Sequence, residues 1–444
     1  MKKFFKSLYL QKRFFITLGI LVVLFVFAFF FERLEDYMKI GFFVVMALLF
    51  IDVLLLYRMK EGIKASRNLP TKLSNGDSNP IELLVSNQYN TTVEVKIIDE
   101  LPTQFQERNF EIKYQLKAKD SKTFSYSIRP TERGEYHYGA LQVFVGSFLG
   151  LAQRRFSFDQ AAIVPNYPSF LQMRKYELMA FTNKLKDYGL KKIRRIGHTM
   201  EFEQIKDYVQ GDDVRKINWK ASAKRNQLMI NQFQDEKSQP VYSVIDKGRV
   251  MKMPFEELKL VDYAINATLV ISNIALKKGD KAGMFSFSNK VSNQVMAQKR
   301  ASQMNLILET LYNLDTDFKE SDFARLYVDI KRTITQRSLL LLYTNFETMD
   351  ALHRQLPYLQ AIAKSHLLVV IFFENTELKE LVKSPANSTQ EIYQKTIAEK
   401  FVYEKKLIVN ELNKYGIQTI LTEPQNLTVN TINKYLEIKA RGLL

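Results

Sequence analysis

The 444-residue chain has no cysteine, one tryptophan and four histidines. Without cysteine there can be no disulfide, thiolate metal site, iron–sulfur cluster or cysteine nucleophile. Four histidines leave little material for a histidine-built zinc site. The phosphate-binding pattern G-x-x-x-x-G-K-[ST] is missing, so the chain is not itself a P-loop ATPase. No G-x-S-x-G elbow, H-E-x-x-H or G-x-G-x-x-G occurs either. Internal repeats and low-complexity tracts are also lacking. An enzyme reading therefore has no positive support, and no cofactor is expected.

What the chain does have is length, positive charge and two long apolar runs. At about 100–200 residues per domain, its length implies two or three folded units. Lys and Arg total 64 against 47 Asp and Glu, a formal charge of +17. That charge is local: +5 lies in residues 1–13, +3 in 58–67 and +6 in 174–195, leaving +3 for the rest.

Phe14–Phe31 holds 18 residues without a charge, and Ile40–Tyr57 another 18 with only Asp52. At ~1.5 Å per residue each run reaches about 27 Å as a helix, close to a ~30 Å hydrocarbon core. A cleaved signal peptide is disfavoured, because Phe29-Phe30-Phe31-Glu32-Arg33 is a poor cleavage junction. The runs predict a hairpin of two spans, about residues 14–31 and 40–57, within a membrane region 1–65. Both flanks are basic, while the loop Glu32–Lys39 has three acids against two bases. Both termini and the soluble part are therefore expected on the cytoplasmic side of the membrane. The basic flanks suit anionic lipid. Asp52 is expected to reach the interface near Arg58 rather than to carry protons or ions.

Residues 66–168 show short alternating runs, among them Ile81–Ser86, Val93–Ile98, Phe124–Ile128 and Leu141–Val145, broken by turn residues. This pattern predicts an all-β sandwich. Residues 169–239 read as a polar, basic connector. From 240 to 444 strands and helices alternate: strands at Val241–Ile245, Ala282–Phe287, Ser338–Tyr343, Leu367–Phe373 and Gln418–Leu421, with helices at Leu258–Leu276, Ser302–Leu314, Phe323–Ile334, Ala351–Lys364 and Glu391–Tyr415. That order implies a largely parallel, Rossmann-like α/β domain whose ligands sit at the carboxyl ends of the strands.

The densest segment is Arg194–Phe233, RRIGHTMEFEQIKDYVQGDDVRKINWKASAKRNQLMINQF. Asp212 or Asp213 is a good N-cap for a helix running through Trp219 towards Lys224, with Gly211 as the preceding turn. Leu228–Phe233 reads as a strand. The segment either pins the connector by internal salt bridges with Trp219 as an anchor, or offers a docking surface, since Trp and Arg dominate interface hot spots.

This stretch resembles the bacterial family called domain of unknown function 58. The residues carrying the likeness are Arg195, Gly197, Glu201, Phe202, Tyr208, Gly211, Asp212, Asp213, Arg215, Ile217, Asn218, Trp219 and Ala223. Thr199, Lys206 and Lys224 depart from the pattern. Leu69-Pro70, Asp99-Glu100-Leu101-Pro102, Arg133-Gly134-Glu135-Tyr136, Leu149-Gly150-Leu151 and Pro165-Asn166 look like the same family. The resemblance implies a carboxy-terminal domain similar to von Willebrand factor A and partnership with a MoxR-type AAA+ ATPase. It also implies that Arg195, Gly197, Glu201, Phe202, Tyr208, Gly211, Asp212, Asp213, Arg215 and Trp219 form an interaction motif.

Von Willebrand A domains often hold Mg²⁺ through D-x-S-x-S after the first strand, with a threonine and an aspartate from other loops. Here the first loop is Asp246-Lys247-Gly248-Arg249-Val250, so Gly248 and Val250 stand where hydroxyls are needed. Ser321, followed by Asp322, stands at the threonine loop. Asn345 stands where an aspartate would, with Glu347 as a substitute. Lys247 and Arg249 would repel a cation and could pair with Asp246. No metal is expected.

These readings make a membrane-anchored, non-enzymatic adaptor the leading function. A metal-dependent ligand-binding receptor of von Willebrand A type is the alternative. A nucleic-acid binder using Arg174–Arg195 is disfavoured, because that stretch has little aromatic interleaving and the chain is tethered.

Overall fold

The computed structural model describes residues 2–443 apart from positions 29, 31, 108, 182–199, 211, 213, 215, 216, 236, 237 and 387. The chain divides into two compact units, Met1–Tyr167 and Pro168–Leu444. The apolar helices therefore belong to the same unit as the sandwich, and the segment read as a connector belongs to the α/β unit.

In the first unit, helix Lys12–Ala28 is followed by helix Glu32–Tyr57. Among the described residues one helix, Leu34–Tyr57, is long and apolar enough to cross a membrane. The earlier helix has 17 residues and ends before Phe30. Among the described residues this unit also holds a five-stranded sheet, whose first strand precedes the helices, and two three-stranded sheets. Alternation decides which side chains they bury: Asn79–Asn87 and Val93–Asp99 send every second residue inward. Leu83, Val85, Val95, Ile97, Val143 and Val145 are fully buried there. Each such side chain contributes about 1.5–3 kcal/mol through removal from water.

Two features were not legible from periodicity. Leu8–Leu10 forms a short strand that pairs antiparallel with Ala152–Phe158, Leu8 opposite Arg154 and Leu10 opposite Ala152. Asp52 does not reach an interface near Arg58. It is fully buried and accepts hydrogen bonds from Ser147 Oγ, from Leu151 N at 2.9 Å and from Ala152 N at 2.8 Å. One helical turn later, Leu56 O accepts from Tyr89 Oη at 2.7 Å and from Arg154 at 2.9 Å. The long helix is thereby bolted to the sandwich at its carboxyl end, where carbonyls lack intrahelical donors. Gly62 is required beside this joint, because a Cβ there would collide with the Tyr89 ring.

The second unit is built on a six-stranded sheet. Its spatial order is Val291–Gln298, Lys281–Phe287, Pro240–Asp246, Leu339–Tyr343, Leu367–Phe373 and Gln418–Thr422. All neighbours are parallel except the edge strand Val291–Gln298. Numbered along the chain this is the order 3-2-1-4-5-6 of doubly wound folds. Both faces are covered, which explains continuous apolar strands such as LLVVIFF. On one face Leu339, Leu341 and Tyr343 pack with helices Leu260–Lys277, Gln303–Tyr312 and Leu427–Ala440. On the other, Leu340 and Leu342 pack with helices Phe323–Thr333, Met349–Ser365 and Thr389–Lys414.

The expected strands and helices of this unit are present. The edge strand Val291–Gln298 and the helices Phe170–Phe181, Thr376–Lys383 and Leu427–Ala440 were not anticipated. The edge strand reads VSNQVMAQ, with too few apolar residues to mark a strand by pattern.

Candidate functional site

Two places in the second unit carry the residues singled out above. The first is the point where strand order reverses, between Pro240–Asp246 and Leu339–Tyr343; doubly wound folds hold their ligands at such a crevice. Asp246 ends the first strand there and is fully buried. Its carboxyl group accepts from Ser321 Oγ, from Thr344 Oγ1 at 2.7 Å and from Gly248 N at 2.8 Å. Gly248 makes the approach possible, because a Cβ there would strike Ser321 Oγ and lie 3.0 Å from Lys319 O. The structure thus brings together Asp246, Gly248 and Ser321, and adds Thr344, which sequence spacing did not flag. Val250 instead packs against the apolar core of the domain.

Among the ion pairs of the described residues, none joins Asp246 to Lys247 or Arg249, the pairing the sequence allows. Lys247 Nζ lies 3.6 Å from Asp317, and the Arg249 amide donates to Lys319 O at 3.0 Å. Asn345 faces Lys405, whose Nζ donates to Asn345 Oδ1 at 2.7 Å and to Phe346 O. Burial lowers the Lys405 ammonium to about 8, partly offset by the nearby Glu347.

This donor set does not fit Mg²⁺. Both Asp246 oxygens are already taken by hydroxyl and amide donors, and Asn345 is neutral and bound to an ammonium. Among the described residues no group of three or more His, Cys, Asp or Glu could hold a metal.

Burial pushes the Asp246 carboxyl above its ordinary range, and its three donors only partly offset this. A raised folded-state value means that the folded chain holds the proton more tightly than the unfolded chain. Stability from this group is then fully present below the unfolded carboxyl range and is lost as pH rises through the folded value. Asp246→Asn should therefore match or exceed the parent in thermal melts at neutral pH, and its relative advantage should shrink on acidification. Calorimetric titration with Mg²⁺ should show no saturable sub-millimolar binding to the parent. A saturable signal abolished in Asp246→Asn would contradict the second expectation, and a variant melting well below the parent at neutral pH would contradict the first.

The second place is the motif segment. Strands Met200–Asp207 and Met229–Asp235 form an antiparallel ribbon. The backbones of Glu201 and Phe202 lie in its first strand. Arg195, Gly197, Gly211, Asp213 and Arg215 lie outside the described residues. Asp212 does not cap the helix that contains Trp219. It closes a turn, accepting from Val209 N at 3.2 Å and pairing with Lys206 at 3.3 Å, and these contacts hold its carboxyl below the usual range.

The helix Trp219–Arg225 is instead capped by Asn218, whose Oδ1 accepts from Ala221 N at 3.0 Å. Asn218 suits the role as well as Asp does, so residue type alone could not choose between positions 212 and 218. Asn218 N donates to Met229 O at 2.9 Å, and Ser222 Oγ accepts from Met229 N at 2.8 Å, fastening the helix to the ribbon. Tyr208 is half-buried, with its amide on Leu228 O at 2.8 Å.

The consequence is that Trp219 points outward. It is 70% exposed, and Val209 and Val214 are 63% and 61% exposed. A tryptophan that anchored the segment would be covered. Lys220, Lys224 and Arg225 on the same short helix are also exposed.

The family model described as "Protein of unknown function DUF58" matches residues 204–385, which contain most of both places. The uncharacterized protein YeaD of Bacillus subtilis (strain 168) is 28% identical over 172 residues, covering 39% of this chain and 41% of YeaD. The match thus spans about two-fifths of that relative's length. Among solved structures, the conserved hypothetical protein BatB from Bacteroides thetaiotaomicron aligns at 12% identity, covering 46% of this chain and 100% of that one, with a TM-score of 0.33. The SpRpn10 VWA domain aligns at 9% identity, covering 44% and 94%, with a TM-score of 0.29. The CARDB domain of PF1109 from Pyrococcus furiosus aligns at 14% identity, covering 22% and 85%, with a TM-score of 0.16.

Proposed function

We propose that this chain, which belongs to the DUF58 family, is a membrane-anchored, non-enzymatic adaptor that presents its motif segment to a MoxR-type AAA+ ATPase acting on membrane or envelope clients. The observation that carries the reading is Trp219, held outward by a capped helix fastened to an antiparallel ribbon and flanked by Lys220, Lys224 and Arg225. A large aromatic with cations around it, exposed to water, matches the composition of interface hot spots and favours an acidic partner face. The lack of a metal-fitting donor set at Asp246 speaks against the receptor alternative.

The anchor in this reading is a two-helix hairpin. Support comes from its ends: Leu8–Leu10 pairs with Ala152–Phe158, and Ser7 Oγ lies 2.8 Å from Tyr57 Oη. Both ends of the helix pair therefore meet the same sandwich, which requires an even number of crossings if the long helix spans the bilayer. Basic residues at both flanks support a cytoplasmic side for those ends, at a bacterial inner membrane and against anionic lipid.

Two experiments address this reading. A topology reporter fused after Leu444 should behave as a cytoplasmic marker; strong activity of a periplasm-dependent reporter would overturn the orientation. Affinity capture of the full chain from detergent-solubilised membranes should recover a AAA+ ATPase. Recovery of none, under conditions that retain the chain's own fold, would count against the partnership.

A further inference from the structure

A cavity of about 570 Å³ opens at the carboxyl ends of the parallel strands, within the size range of small-molecule sites. Its walls come from three places: Met253 and Phe255 after the first strand, Phe373 at the end of the strand Leu367–Phe373, and Leu378, Ile397 and Phe401 on the two following helices. None of these elements belongs to the motif segment or to the apolar helices of the first unit.

Lys405 also lines this apolar space. An ammonium has three N–H donors. Two are used, on Asn345 Oδ1 at 2.7 Å and on Phe346 O, and both acceptors are neutral. Of the carboxylates on the walls, Glu374 is bonded to Lys379 at 2.5 Å, Glu377 is exposed at the rim, and the exposed Glu347 attracts Lys405 through space without bonding it. A partly buried cation whose hydrogen-bond partners are neutral, with the Phe372 ring 5.8 Å away and one N–H without a hydrogen bond beside an apolar chamber, lacks one component, an anion.

We infer that this cavity binds a small monocarboxylate with an apolar body, whose carboxylate takes the remaining donor of Lys405 while its tail lies against Phe373, Leu378, Ile397 and Phe401. The carboxylate would restore charge neutrality at a group the fold has withdrawn from water. The apolar body would cover side chains that are now open to solvent, Ile397 and Phe401 among them. Binding is reversible and involves no covalent step.

The test uses the full chain in lipid nanodiscs, with empty discs as the blank, and three water-soluble probes of one shape: 4-phenylbutyrate, 4-phenylbutanol and 4-phenylbutylamine. Equilibrium dialysis should show saturable binding of the acid, about tenfold or more tighter than the alcohol, as expected for one charge-assisted hydrogen bond. The amine should show none above the blank. Lys405→Met should bring the acid down to the level of the alcohol. Equal binding of acid and alcohol by the parent chain, or an undiminished preference for the acid in Lys405→Met, would overturn the assignment. The probe series on the parent chain decides the question even if that variant fails to fold.

Discussion

Replacing Asp52 with Leu should lower the melting temperature of the amino-terminal unit by on the order of 10 °C. The carboxyl group is fully buried and is the acceptor for Ser147 Oγ, Leu151 N and Ala152 N. Leucine fills the space but leaves two backbone amides without a partner, at about 1–3 kcal/mol each, and strands a hydroxyl as well. A total of about 3–5 kcal/mol in a unit of this size corresponds to the stated shift, at roughly 2–4 °C per kcal/mol. Asp52→Asn should recover most of the loss. Its carbonyl oxygen can accept both amides, and its NH₂ can donate to the Ser147 hydroxyl, which rotates to accept. Melts of the parent and both variants in nanodiscs check this. An Asn variant as damaged as the Leu variant would mean that charge, and not hydrogen bonding, holds the joint. Limited proteolysis near Phe148, the exposed tip of the same loop, should accelerate in the Leu variant only.

The second large effect concerns partner binding. Trp219→Ala should reduce co-purification of the ATPase by about 30-fold or more, the loss expected when a hot-spot aromatic worth at least ~2 kcal/mol is truncated. The melt of the chain should barely move, because the side chain is mostly in water and the fastening bonds belong to Asn218, Ser222 and Met229. Asn218→Ala provides the opposite control. It removes the cap, destabilises the local helix by about 1 kcal/mol and should weaken capture only to the extent that Trp219 becomes less well held. If Trp219→Ala lowered the melt and the capture together, the segment would be a structural pin.

The sequence and the structure agree where the physics is periodic. The buried strands of the α/β unit are continuous apolar runs, and the sandwich strands alternate, so both could be placed from pattern alone. Agreement fails where the deciding contact joins residues far apart in the chain. Pattern alone puts Asp52 at the interface because its partners, Ser147, Leu151 and Ala152, lie about a hundred positions away in a loop with no periodic signal. The segment Leu149-Gly150-Leu151, noticed only by its resemblance, is part of that loop. At the metal-like locus, the missing hydroxyls at Gly248 and Val250 could be read directly, and so could Ser321. Thr344 could have been found, since it directly follows a strand beside the one that ends at Asp246. Lys405 could not: it sits mid-helix among Lys and Glu residues, and only the packing of helix Thr389–Lys414 aims it at Asn345. In the motif, a preference for Asp at helix starts pointed to position 212 or 213, while an equally suitable Asn at 218 makes the cap.

If Trp219 itself touches the ATPase, a reactive group at that position will capture it. The most direct measurement places a photo-crosslinking amino acid at position 219 of the full chain in intact cells, irradiates them and identifies the adduct by mass spectrometry. The account predicts a crosslink to a AAA+ ATPase that disappears when the photoreactive residue is moved to an exposed site away from the segment, such as Tyr393. Adducts confined to lipid or to this chain's own residues, with the ATPase present in the same cells, would contradict it.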